Sequence, residues 1–126
     1  MKRTMRTTLA VAACVACVAP GLSRATPDAK AQGEIDHLLA FVAASPCRFV
    51  RGGTEYDGKA ARDHLARKLD AVRSRLATAD QFVGRVASSS SLSGEPYLVR
   101  CGTRELTARA WLDDELARFR RGGKLQ

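Results

Sequence analysis

Aromatic residues make up only 6% of this 126-residue chain, and it has just two histidines, four prolines and four cysteines. Basic residues never run to five in succession, so the electrostatic stripe of a nucleic-acid-binding tail is missing. No Gly-x-Ser-x-Gly occurs, which removes the nucleophile elbow of one large hydrolase class. The apolar run Thr7 to Ala19 is thirteen residues, short of the roughly 20 that cross a bilayer as a helix. With two histidines and no close cysteine–histidine pattern, there is no zinc-type ligand set. There is no internal repeat. What remains is ordinary for a folded domain: 45% hydrophobic and 27% charged residues, enough for one core and too short for two.

The opening residues carry Lys2, Arg3 and Arg6, with no acidic group before Asp28. The apolar run follows, Pro20-Gly21 breaks it, and Ser23-Arg24-Ala25 sets small residues around a potential cut. A basic start, a short apolar core and a small-x-small exit predict a cleavable export signal over 1–25 and a periplasmic location. No Arg-Arg pair precedes the run, so the twin-arginine route is not indicated. The alternative is a lipid anchor: Val11-Ala12-Ala13-Cys14 resembles the box before an acylated cysteine, although only seven residues separate Arg6 from Cys14.

Removing 1–25 takes four basic residues and no acidic one, so the net charge falls from +8 to 17 minus 13, or +4. Thirteen of the remaining seventeen are arginines, scattered, and nucleic acid is not expected as a partner. Cys47 and Cys101 remain, and an even pair in an exported chain of about a hundred residues predicts a disulfide. By loop-closure entropy such a bridge stabilises by about 4 kcal/mol, which matters for a domain with so little to bury.

Thr26 to Gly33 is small and polar and reads as a flexible arm over 26–33. Ile35, Leu38, Leu39 and Val42 then recur at helical spacing until Pro46. Cys47-Arg48-Phe49-Val50-Arg51 alternates as a strand, and Gly52-Gly53 forces a turn. A second helix is expected from Lys59 to Leu76 with Ala61, Leu65, Leu69 and Val72 on one side. Thr78 with Gln81 forms a capping box for a third, faced by Ala79, Phe82, Val83 and Val86. Tyr97 to Cys101 alternates again, and Gly102 turns towards Arg104-Glu105-Leu106 as a hairpin partner. Thr107 caps a last helix carrying Trp111, Leu112, Leu116 and Phe119, and Gly122-Gly123 stops it. The reading is α+β: an antiparallel sheet of two to three strands under about four helices, one domain over 34–121 and a tail over 122–126.

Chemistry-bearing groups are sparse. Glu34-x-x-His37 puts a carboxylate and an imidazole on one helical face, but as a single motif it reads as a polar face rather than a metal site. His64 flanks an apolar stripe and reads as a boundary residue, because no partner that would make it a base is evident. The serines from Ser88 to Ser93 suit caps and turns. Arg51 to Tyr56 is a turn with a cation at one end and a phenol at the other. If the two cysteine strands are adjacent, Arg51, Tyr56, His64, Lys68, Ser91, Ser93 and Tyr97 form one candidate ligand or partner surface. No catalytic, metal or cofactor residue is assigned.

Several stretches together carry a resemblance. They are Glu34 to Leu39, Cys47 to Tyr56, His64-Leu65 with Lys68, Ala87 to Tyr97, Val99-Arg100-Cys101 and Trp111-Leu112. The chain resembles a family of small exported proteins of unknown function from Gram-negative bacteria, over nearly all of the segment after residue 25. The resemblance implies a signal peptide and a cysteine at each of these two places, hence the same bridge. One departure is Gly52, which stands where the family pattern tends to have Asn; both tolerate positive φ, so the turn is expected to persist. No activity or cofactor comes with it.

The leading expectation is a non-enzymatic periplasmic binding or interaction domain whose partner is a cell-envelope protein, a peptide or a glycan. The alternative is a small periplasmic hydrolase pairing His64 with a serine of the Ser88–Ser93 loop. A third reading is an envelope protein without a small ligand. Partner identity and oligomeric state lie outside what a single sequence carries.

Overall fold

Asp28 opens the first helix: its carboxylate accepts the Ala31 amide at 2.8 Å, so α1 (Ala29–Ala44) starts inside the segment expected to be a loose arm. The computed structural model describes residues 12–17 and 26–122. The expected export signal over 1–25 therefore falls mostly outside the described residues, as does the tail beyond Gly122. Cys14 and Cys17, which are described, are exposed free thiols. Among the described residues no helix is long and apolar enough to cross a membrane.

After α1 come β1 (Arg48–Arg51), β2 (Thr54–Tyr56), α2 (Gly58–Val72) with a short 3-10 turn at Arg73–Arg75, and α3 (Ala79–Phe82). α3 runs on as a π-helical turn over Val83–Ala87, followed by β3 (Leu98–Cys101), β4 (Arg104–Thr107) and α4 (Ala108–Arg120). Thr78 and Thr107 cap their helices through side-chain oxygens. Gln81 completes the Thr78 cap differently from the expected box, accepting the Ala77 amide rather than that of Thr78.

The class is α+β, as expected, but the antiparallel sheet has four strands, ordered β2-β1-β3-β4, where two to three were expected. The extra strand is β2. Gly52 and Gly53 both have positive φ, 57° and 78°, which matches the twist of a two-residue hairpin and brings Thr54–Tyr56 back along β1.

Register sets the two faces. Tyr56, Phe49, Val99 and Leu106 lie in one row across the strands, on the side the helices cover. Trp111 from α4 stacks on Phe41 at 4.4 Å and meets Phe49 edge-on at 5.4 Å, joining α1, α4 and the sheet. On the other face Glu55, Arg48, Arg100 and Glu105 form an exposed ladder of ion pairs across all four strands. The core is apolar and fully buried at Ile35, Leu38, Val42, Leu69, Leu76, Phe82, Val99, Leu112 and Leu116.

Cys47 and Cys101 are bonded, with Cα atoms 4.6 Å apart. Arg48 pairs with Arg100, so the antiparallel register brings the flanking cysteines opposite one another. A close approach at Gly58 holds α1 against α2: a Cβ there would lie 2.3 Å from the Val42 carbonyl oxygen and 2.9 Å from that of Ser45.

Candidate functional site

Alternation along β1 puts Arg51 on the same face as Phe49, so a cation ends the strand on its helix-covered side. Tyr56 closes β2, immediately before the α2 N-cap Asp57. His64 and Lys68 stand one turn apart on α2, and Tyr97 precedes β3. These five side chains meet. Arg51 Nη1 lies 2.6 Å from His64 Nδ1, and Arg51 Nη2 donates to the Tyr56 hydroxyl at 3.0 Å with its guanidinium over the Tyr56 ring. His64 Nε2 is 3.1 Å from the Tyr97 hydroxyl, and Lys68 Nζ donates to the same hydroxyl at 3.0 Å.

The proton positions follow from the donors. A guanidinium can only donate, and Arg51 Nη1 lies nearer His64 Nδ1, at 2.6 Å, than Nε2, at 3.0 Å, so Nδ1 is assigned as its acceptor and Nε2–H as the donor to Tyr97. Burial, then the charges of Arg51, Lys68 and Arg67, push the His64 imidazole down to about 4, so it is neutral near pH 7. Lys68 has three donors, and all three are engaged, by Tyr97 and by the carbonyls of Val86 and Ser89 at 2.7 Å each. It caps the end of the π-helical turn and fixes the base of the serine loop, so it positions Tyr97 and has no donor left for a ligand.

A half-open pocket of about 240 Å³ adjoins this cluster. Val42, Phe49, Leu65, Ala87, Trp111 and Leu112 supply apolar wall, and Arg51, Tyr56, His64 and Tyr97 supply polar wall. It is larger than the ~150 Å³ cavity known to hold benzene and below the usual range for drug-sized ligands. Asp63 also lines it, but its carboxylate is paired with Arg62 at 2.8 Å.

Arg51, Tyr56, His64, Lys68 and Tyr97 are thus brought together; Ser91 and Ser93 are not. Both sit in the exposed turn between Ser90 and Pro96, do not line the pocket and share no hydrogen bond with the cluster. Ser93 Oγ accepts the Glu95 amide, a turn role. Ser90 Oγ accepts the Leu92 and Ser93 amides, and the Ser90 carbonyl accepts that of Gly94. Among the described residues no serine hydrogen-bonds to His64.

Glu34 and His37 do not form a polar surface face as expected. Both are buried, at 6% and 9% exposure, and they part company: Glu34 receives Arg120, while His37 Nε2 lies 2.7 Å from Glu115 and its ring stacks on Phe119. No group of three or more potential metal ligands occurs among the described residues. The pocket walls from Trp111 and the Ala60-Ala61 pair were not picked out from sequence as site residues. The available signal was two small residues on α2 beside a helix bearing the only tryptophan.

Fold and site together define a small disulfide-bridged α+β domain with an amphipathic pocket between its helices and its sheet. The chain belongs to the Family of unknown function (DUF5329), whose pattern matches residues 29–120. It is 39% identical over 74 residues to the Uncharacterized protein YfeK of Salmonella typhimurium (strain LT2), covering 58% of this chain and 62% of that protein. The chain therefore spans less than two thirds of that relative's length. No solved structure matches the chain.

Proposed function

We propose that this protein is an exported, non-enzymatic binding domain whose pocket between α2, α4 and the sheet takes one small molecule with an apolar body. The observation that carries the reading is the pocket itself: about 240 Å³, walled by Phe49, Leu65, Trp111 and Leu112, and closed on one side by hydrogen-bonding groups. Export rests on the basic, apolar and small-residue pattern of the first 25 residues, and it agrees with a bridge that an oxidising compartment would preserve. The hydrolase alternative has no support in the cluster, because both His64 nitrogens are engaged by Arg51 and Tyr97 and a base needs a reachable proton to abstract.

Trp111 is the only tryptophan and lines the pocket, so its emission reports occupancy directly. Titration with phenylpropanol should shift or quench that emission saturably. Ala61→Phe, which fills the pocket from α2, should abolish the change while leaving the far-ultraviolet circular dichroism intact. Absence of a saturable signal from phenylpropanol and from its acid analogue alike would contradict the reading.

A further inference from the structure

We infer that the pocket reads a carboxylate: its ligand is a small aryl or alkyl monocarboxylate, with the acid group held by Arg51 and the Tyr97 hydroxyl. This rests on the binding reading above and adds the identity of the head group.

Three observations agree on what the cluster is missing. Arg51 is half-buried, yet among the described residues it has no carboxylate within ion-pair distance; its partners are a neutral imidazole and a phenol. Tyr97 is buried, and with His64 Nδ1 as the acceptor of Arg51 its hydroxyl oxygen accepts from His64 and from Lys68, which leaves its own proton without an acceptor among the described residues. Arg51, Lys68 and Arg67 all bear on His64, while the only acid lining the pocket, Asp63, is engaged by Arg62. The wall is therefore rich in donors and positive charge and poor in acceptors. A ligand bringing one negative, acceptor-only group would complete it.

The group's class follows from the same count. A guanidinium presents parallel N–H bonds that match the two oxygens of a carboxylate. A phosphate monoester carries nearly two charges and three acceptor oxygens, more than one guanidinium already donating to His64 and Tyr56 can satisfy, since Lys68 has no donor to spare. The apolar remainder must fit about 240 Å³ beside Trp111 and Phe49, which suits a single ring or a short chain.

The test uses the oxidised full chain and three probes of matched shape: phenylpropionate, phenylpropanol and phenylpropylammonium, each titrated against Trp111 emission. The acid should bind about tenfold or more tighter than the alcohol, and the ammonium most weakly. Arg51→Met should erase the preference for the acid, so that within that variant acid and alcohol bind with equal affinity. Tyr97→Phe, which keeps the ring, should weaken the acid several-fold more than it weakens the alcohol. Equal affinities of acid and alcohol for the unaltered protein would overturn the carboxylate inference while leaving the pocket reading standing. Persistence of the preference in folded Arg51→Met would overturn it too. Failure of all three probes would overturn both.

Discussion

The chain's two histidines sit in polar clusters of opposite character. His37 lies between α1 and α4, with Glu115 at 2.7 Å, and Glu115 also accepts Arg118. Beside it, Arg120 bridges Glu34 and Asp80. Arg118 first, then His37, hold the Glu115 carboxyl below its ordinary value, and Arg120 does the same for Asp80. Glu34 and Asp80 in turn push Arg120 above its own ordinary value. Every charge there has its opposite. His64, by contrast, faces cations and phenols and is pushed down to about 4. A matched cluster is complete within the protein and serves to dock one helix on another; an unmatched one is complete only with something from outside.

The largest effect expected follows from where the unmatched cluster sits. Arg51 and Tyr97 lie at one end of the β1–β3 pair, and the disulfide closes the other. Cys47→Ser with Cys101→Ser should lower stability by about 4 kcal/mol in urea unfolding, by loop-closure entropy. Loss of well under 1 kcal/mol would mean that the register holds without the bridge.

Next, Glu115→Ala removes the centre of the matched cluster and leaves buried His37 without its partner; a loss of about 3 kcal/mol is expected. Arg51→Met, in the unmatched cluster, should cost at most about 1 kcal/mol, because it relieves as well as removes contacts. Equal losses in the two variants, read from urea midpoints, would dissolve the distinction between the clusters.

A smaller effect separates them by pH. For His64 the folded state holds its proton less readily than the unfolded chain, with a value near 4 against 6.5. Its contribution is therefore intact above about pH 6.5 and is lost as the pH falls towards 4. Glu115 is lowered from 4.5, so its contribution is present above that value and goes only at more acid pH. Between pH 7 and 5 the urea midpoint should fall for the unaltered protein and less for His64→Gln. Parallel curves would count against an uncharged, cation-facing imidazole.

Much of this was legible in the sequence, and the gaps have physical causes. The cysteine pair, both glycine turns and the threonine caps fixed most of the elements, because backbone-dictated signals survive without tertiary context. Adjacency of the two cysteine strands, which the cysteine pair implies, is what brings Arg51 and Tyr97 to one surface, and five of the seven candidate surface residues converge there. β2 escaped because its three residues are too few for a period and run straight into the Asp57 cap. The start of α1 escaped because Asp28 precedes small, polar residues with no apolar stripe yet begun. Glu34 and His37 read as a solvated face because burial of such groups is decided by partners on α4, some eighty residues away. Strand adjacency alone suggests that the serine loop lies beside the Arg51–Tyr56 turn, but the Ser90 turn carries Ser91 and Ser93 outward instead.

The imidazole of His64 is the most direct reporter of the missing negative charge, and NMR titration of its ring protons in the full chain reads it without any variant. The account predicts a value near 4 in the free protein, rising when the protein is saturated with phenylpropionate and not with phenylpropanol. A free-protein value at the ordinary 6.5, or no rise with the bound acid, would contradict it.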